Sequence, residues 1–515
     1  MNKATSIQPH QTPKLATLKY YFALLTIAVT TLFFSWVGFI SSDDSYYVTS
    51  GLGWLHNFPY VAKHFGTIRS GVGIPIALMV ALFGESEFTV TLSTGVFLIA
   101  TALLTLAMLA RTIGNSAALI TSAIFITIPL FAIHSTIPSA DVPELFFVAS
   151  SFWLFWLAYQ SENRLWLLLL AGVSAAFAFS AHELTLALLL FYGILFLLGF
   201  GIKRSEYWLM AIGFFTIIGI EFVYYWVMTG DPLYRFTLIF KGAAYQDRIE
   251  VGFLQMTDSG TLHIWTPIDP VVMFFTNHYF SLLGFLMIPA MWWAFIEDRL
   301  GKSQTLILAR LLICLGVVWF LLAAIELRNI KLLPRYYMVV AYCFFVASAI
   351  WVYIKIWPQR RKFVAAGVVI FALVNLGLIF VDNKNPRFGE RALVEYLGIS
   401  EGLLYTDPLT AVNAEYFCRW ASQNCGRIVV EPPVPGGIYF YNPLSADRPN
   451  RFVRPDKVKL YTANTQWQKI WEKHSHRKAI AIVAEKLGIV PFLSPALVSK
   501  LEGLNTAVIV YKIPE

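Results

Sequence analysis

Apolar runs of about 19 residues recur along most of the chain, and they restrict its possible folds more than any other feature. A helix needs about 20 apolar residues to cross the roughly 30 Å hydrocarbon layer of a bilayer. In that layer only helices and closed barrels satisfy their own backbone hydrogen bonds. Windows of this kind fall near 19–40, 87–110, 115–134, 143–160, 164–181 and 183–202, and again near 207–228, 271–296, 304–325, 334–356 and 362–381. About eleven transmembrane helices are therefore expected. Over 515 residues the chain is 57% hydrophobic and 14% charged, with mean hydropathy +0.62, which excludes a soluble enzyme. Its aromatic content, 16%, suits many membrane interfaces. The net charge of +8 comes without a basic recognition helix or zinc-ligand spacing, so membrane lipids and not nucleic acid are the expected partners of that charge.

Orientation follows from the cations. With the amino terminus in the cytoplasm, the short inner loops carry Arg111, Arg164, Lys203, Arg204, Arg299, Lys302, Lys355, Arg360, Arg361 and Lys362, and Lys3, Lys14 and Lys19 precede or open the first span. The longer outer loops carry fewer: Lys63, Arg69, Arg235, Lys241, Arg248, Arg328, Lys331 and Arg335. The first span lacks a small-x-small cleavage site and reads as a retained anchor. A multi-pass protein of the plasma (inner) membrane is expected, and an odd helix count places its carboxyl terminus outside. Residues 1–381 form the transmembrane domain in this reading. Its outer loop 41–86 suits short interfacial helices or a reentrant pair.

From residue 382 the composition turns polar, and 382–515 is expected to be an extracytoplasmic α/β domain. LLYTD, RIVV, IYFY, AIAIVA and AVIVY read as strands, and 388–398, 409–421 and 465–474 read as helices. Cys418 and Cys425 can pair in an oxidising compartment only if their helix ends near Ala421 to Asn424, because one straight helix would hold them roughly 10 Å apart. Cys314 and Cys343 lie in apolar runs and read as core residues.

Four features carry possible chemistry. SDDSYY, Ser42 to Tyr47, places Asp43 and Asp44 at the outer end of the first span, where poor solvation and mutual repulsion raise one pKa and make a general base. The same pair also suits a helix cap flanked by belt tyrosines. PSADVPEL places Asp141 before the fourth span, where Glu144 three residues on and Pro143 in the first turn make a capping arrangement; in the functional alternative Asp141 faces the same outer cavity as Asp43. KHFGTIRSG contributes Lys63, His64 and Arg69, and ELRNIKLLPRYY contributes Arg328, Lys331, Arg335 and Tyr336. Guanidinium forks and tyrosine hydroxyls suit phosphate oxygens, although snorkelling to lipid headgroups explains such cations equally well. HELTL, with His182 and Glu183, lacks the second histidine of a zinc-protease motif and reads as a structural turn or as support for residues of a site. His134 and His278 show no metal-ligand spacing, and no phosphate-cradling glycine loop or GxSxG elbow is present. No metal and no cofactor is expected.

In this order the segments resemble the GT-C glycosyltransferases, specifically the family 39 branch of dolichyl-phosphate-mannose protein mannosyltransferases and bacterial aminoarabinose transferases. Asp43 and Asp44 match the acidic pair after helix one, and Arg69 with LFGES matches a basic residue ahead of a small-apolar stretch ending in FG. Asp141 matches the second-loop aspartate, and Arg335 with Tyr336 the RY pair opening a late helix. The acidic pair is Asp-Asp where the family often has Asp-Glu, and Arg69 stands where many members have a His-Pro or Lys-Pro step. The resemblance covers about 19–381. It implies inverting transfer of one sugar from a polyprenyl-phosphate donor to a hydroxyl of a lipid, glycan or protein acceptor on the outer face. Asp43 would take the proton, Asp44 or Asp141 would orient the acceptor, and Arg69, Arg335 and Tyr336 would stabilise the departing phosphate, aided by Lys63 and Arg328. The alternatives are a transporter or flippase of lipid-linked sugars, or a polymerase or ligase moving whole glycans. Internal repeats and charges at mid-membrane, expected of a transporter, are not seen in the sequence.

Overall fold

The structure, a computed structural model, describes residues 15–161, 164–241, 254–256, 262–264, 266, 268–298, 301–326, 332–381, 385–447, 453–475, 479–492, 498, 502 and 506–515. Among them six helical stretches are long and apolar enough to cross a membrane: Leu18–Ser35, Glu87–Ile113, Asp141–Gln160, Arg204–Thr229, Gln304–Ile325 and Pro334–Ile379. Shorter apolar helices take up other expected spans. The expected span 115–134 is broken because Pro129 has no N–H to give and holds Ile128 in an extended conformation, separating Asn115–Thr127 from Pro129–His134. The expected span 271–296 becomes Asp269–Thr276 and Leu283–Trp292, with a 3-10 turn between them. The spans expected at 334–356 and 362–381 run together and are kinked at Arg360. Large apolar side chains such as Phe22, Phe33, Phe215 and Phe363 remain exposed on these helices, as lipid-facing side chains do. The protein is a multi-pass α-helical membrane protein with a smaller α/β part near its carboxyl end.

The chain forms two compact units, one of Met1–Phe34, Thr94–Ser135 and Ala140–Leu376, the other of Ser35–Ser93, Thr136–Ser139 and Gly377–Glu515. In the helical unit apolar side chains meet hydrocarbon as readily as one another, so close approach and interhelical hydrogen bonds specify the packing. Gly172 and Gly213 let Leu165–Ala181 and Arg204–Thr229 touch backbone to backbone: a Cβ at Gly172 would lie 2.0 Å from the Met210 carbonyl oxygen. The buried Tyr342 hydroxyl joins three helices, accepting from Trp153 Nε1 at 2.8 Å and meeting the Thr105 hydroxyl at 2.8 Å.

The second unit combines two 14-residue helices, Asp43–His56 and Ser70–Phe83, with the carboxyl-terminal sheet. At 1.5 Å per residue each helix is about 21 Å long, short of a full crossing. Gly51 permits their close approach, since a Cβ there would meet Ile76 at 2.6 Å. The sheet runs, edge to edge, Ile428–Val429, Leu404–Tyr405, Ile438–Tyr441, Ala507–Lys512 and Gln468–His474, with the first three parallel and the last two antiparallel. Helices Phe388–Ile399 and Pro408–Trp420 lie where the sequence placed them. Two expected elements exchange type. The segment 468–474 is a strand, its Lys469 and Lys473 protecting a sheet edge and Trp471 packing at a tilt against Tyr396 and Phe440. AIAIVAEK is a helix, Ala479–Lys486, with Ala481 and Ala484 buried three residues apart on one face. Cys418 and Cys425 form a disulfide with Cα atoms 5.9 Å apart, the helix ending at Trp420.

Candidate active site

Asp43 and Asp44 are the first two residues of Asp43–His56, where carboxylates favour the positive end of the helix dipole. Their environments differ sharply. Asp44 is 2% exposed and accepts hydrogen bonds from the backbone N–H groups of Ile40 at 2.6 Å, Ser41 at 3.2 Å and Ser42 at 2.5 Å. Burial pushes its pKa up to about 6, opposed by the Ser42 and Ile40 amides and by the Arg387 guanidinium. Asp44 therefore caps the turn that precedes its own helix. Asp43 is half-buried, and its charge acts on His64. The His64 ring stacks on Tyr46, centroids 4.1 Å apart and 13° from parallel, and its Nδ1 accepts from the Gly66 N–H at 3.1 Å. Burial holds the His64 pKa below its ordinary value, so the ring is neutral near pH 7 and carries its proton on Nε2. Lys63 is exposed beside it. Arg69, just ahead of Ser70–Phe83, donates from Nη1 to the buried Tyr47 hydroxyl at 2.7 Å and lies over that ring.

The helical unit holds the other candidates. Asp141 opens Asp141–Gln160, but the residue before it is Ala140 and no side chain caps the helix, so the capping arrangement expected of Asp141 and Glu144 is not the one formed. Asp141, 4% exposed, instead faces Arg335, with Nε to Oδ2 at 3.9 Å. Arg335 and Tyr336 belong to the 3-10 turn Pro334–Tyr337, whose proline follows the extended Leu333, and the guanidinium lies 5.5 Å from the Tyr336 ring centroid. The opposite side of this cluster comes from HELTL. His182 packs against Tyr336 with centroids 5.9 Å apart and stands 3.7 Å from Glu144, which accepts from the Thr185 hydroxyl at 2.8 Å. Arg235, fully buried, fixes that turn from behind. It donates to Glu183 at 2.9 Å, to Glu221 at 3.0 Å and to the Phe179 carbonyl at 2.9 Å.

Asp43, Asp44, Lys63 and Arg69 thus belong to one unit, and Asp141, Arg335 and Tyr336 to the other. Arg328 lies outside the described residues. Among the described residues, no three His, Cys, Asp or Glu side chains are grouped to hold a metal ion.

Residues 72–226 match the family described as dolichyl-phosphate-mannose-protein mannosyltransferase. No curated protein matches the chain by sequence. Among solved structures, ArnT from Cupriavidus metallidurans bound to undecaprenyl phosphate is similar over 96% of this chain and 98% of its own, with TM-score 0.59 and 12% identity. The same protein in the apo state is similar over 84% of this chain and 94% of its own, with TM-score 0.58 and 11% identity. The chain has the GT-C glycosyltransferase fold. The oligosaccharyltransferase of Archaeoglobus fulgidus in complex with zinc and sulfate has it too, at TM-score 0.52 and 11% identity over 96% of this chain and 88% of that one.

Within this GT-C fold, Glu144, Thr185 and His182 are the residues that sequence reasoning left out of the candidate site. Glu144 reads from sequence as a cap, and HELTL as a turn or a support for other residues. The one available signal was the coincidence of a buried-acid motif and a histidine at neighbouring helix ends.

Proposed function

We propose that this protein is a membrane glycosyltransferase that moves a single sugar from a polyprenyl-phosphate donor to a hydroxyl of a lipid, glycan or protein acceptor, with inversion, on the outer face of the plasma membrane. The observation that carries this reading is the unequal acidic pair on a GT-C fold. Asp44 is consumed by three backbone amides, which makes Asp43 the carboxylate of the pair suited to meet a hydroxyl. The undecaprenyl phosphate on ArnT and the mannosyltransferase match over 72–226 support the donor class. The disulfide Cys418–Cys425 supports an oxidising compartment for the α/β part.

In the reaction, Asp43 takes the proton of the acceptor hydroxyl as its oxygen bonds to the anomeric carbon from the face opposite the phosphate. The bond from that carbon to the phosphate oxygen breaks, and its electron pair leaves with the polyprenyl phosphate. Arg335, held against Asp141 and Tyr336, neutralises the departing charge, the contribution that typically dominates such transfers. Arg69, Lys63 and Arg328 are further cations proposed to act on the donor phosphate. Asp44 keeps the turn before Asp43 in place. Mass spectrometry of envelope glycolipids and glycoproteins from a deletion strain tests the assignment. The expected result is one product lacking a single sugar residue mass, restored by the wild-type gene; an unchanged profile would remove the assignment.

A further inference from the structure

We propose that the α/β part of the second unit is a positioning device for the acidic pair, with Arg387 as its principal positioning residue. The proposal rests on the reading of Asp43 as the base. Ser41, two residues before Asp43, has φ +50°, a left-handed conformation that serine rarely adopts. All of its polar groups are held. Its N–H goes to Asp44, its carbonyl accepts from Arg387 Nη2 at 3.0 Å, and its hydroxyl donates to Asn413 Oδ1 at 3.1 Å. Arg387 Nε also donates to the Ile40 carbonyl, and Arg387 Nη1 pairs with Glu390 at 3.3 Å. Asn413 Nδ2 donates to the same Glu390 oxygen at 3.3 Å, so Ser41, Asn413, Glu390 and Arg387 form a closed ring of hydrogen bonds.

One helical turn beyond Arg387, Arg391 repeats the arrangement. It pairs with Glu87, which accepts from the Phe39 N–H at 2.8 Å, and the Phe39 ring packs against Tyr416, Phe417 and Trp420. The amides of residues 40–42 are thus gripped by Asp44, and the carbonyls of Ile40 and Ser41 by Arg387. Docking one domain on another would need no residue in a left-handed conformation. A strained residue directly ahead of a reacting group, held by partners about 350 positions away in the chain, is what fixing the aim of that group requires.

Hydrogen exchange on the full-length protein, read by mass spectrometry, tests the grip without any substrate. In Arg387→Ala the amides of residues 40–42 should exchange about tenfold faster or more, while the sheet strands Ile438–Tyr441 and Ala507–Lys512 keep their protection. Arg387→Lys, which can reach one carbonyl at a time, should fall between wild type and alanine. Unchanged exchange at 40–42 would overturn the proposal. For function, Arg387→Gly in a deletion strain should lower the sugar product about a hundredfold, as a misaimed catalytic group does, and guanidinium chloride added to its membranes should restore part of it. Asp43→Asn membranes should not respond to guanidinium. Wild-type product from Arg387→Gly sinks the positioning role and leaves the base intact; wild-type product from Asp43→Asn sinks the base whatever Arg387 does.

Discussion

Asp43 with Asp44 opens one helix and Asp141 with Glu144 opens another, and in each pair one carboxylate is committed to the protein's own donors. Asp44 takes three backbone amides from within four residues, whereas Glu144 takes the Thr185 hydroxyl, 41 residues away, with His182 nearby. The other members meet charged or titratable groups: Asp43 acts on His64, and Asp141 faces Arg335. Spacing in sequence cannot tell the two kinds apart. Asp44 is set apart by the three backbone amides that converge on it, and Glu144 by a hydroxyl that comes from a distant turn.

The comparison breaks most easily at the cation. Arg335→Ala should lower sugar product about 10²- to 10³-fold at unchanged protein level, the range for losing one preorganised group at a developing charge. Arg335→Lys, lacking the planar fork, should recover little of it. Asp141→Asn should cost less, about tenfold, because it loosens Arg335 without removing it. Glu144→Gln should act mainly on stability, by about 1–3 kcal/mol, measured as a lower thermal midpoint. If Glu144→Gln instead abolished product at wild-type stability, the division within the second pair would be wrong.

Acid–base linkage sharpens the first pair. Asp44 titrates near 6 when folded and near its ordinary 3.8 when unfolded, so the folded state binds the extra proton between those values. Its contribution to stability is present below about pH 4 and is lost as pH rises through about 6. Asp44→Asn should therefore flatten the fall in thermal midpoint across that window; parallel pH profiles for the two proteins would contradict the burial of this carboxyl. The smallest effect on sugar product is expected at Cys418 and Cys425. Replacing both with serine should cost about 2–3 kcal/mol of stability, with sugar product almost unchanged.

Apolar windows announced the membrane helices because hydrocarbon demands about 20 uninterrupted apolar residues, and Pro129 broke one of them as its missing N–H requires. The acidic pair was legible as two adjacent carboxylates at a span end, and Asp141 and Arg335 as separate polar motifs that a family pattern also marks; their contact with each other was not legible. The segment 468–474 was misread because its alternation is interrupted by a bulge between Lys469 and Trp471, and AIAIVAEK because six apolar residues in a row satisfy either period. His182 beside Tyr336 and Arg387 on Ser41 were invisible for another reason. Both are contacts across more than 150 residues, made by polar side chains whose partners are backbone atoms or rings and so leave no periodic signature.

The most direct measurement of the central claim is the sugar-product yield of Asp43→Asn per unit of protein in membranes of a deletion strain, read by mass spectrometry. The account predicts a yield lower by about 10²- to 10⁴-fold, the usual worth of a general base, with the variant accumulating and melting like wild type. A wild-type yield would contradict it.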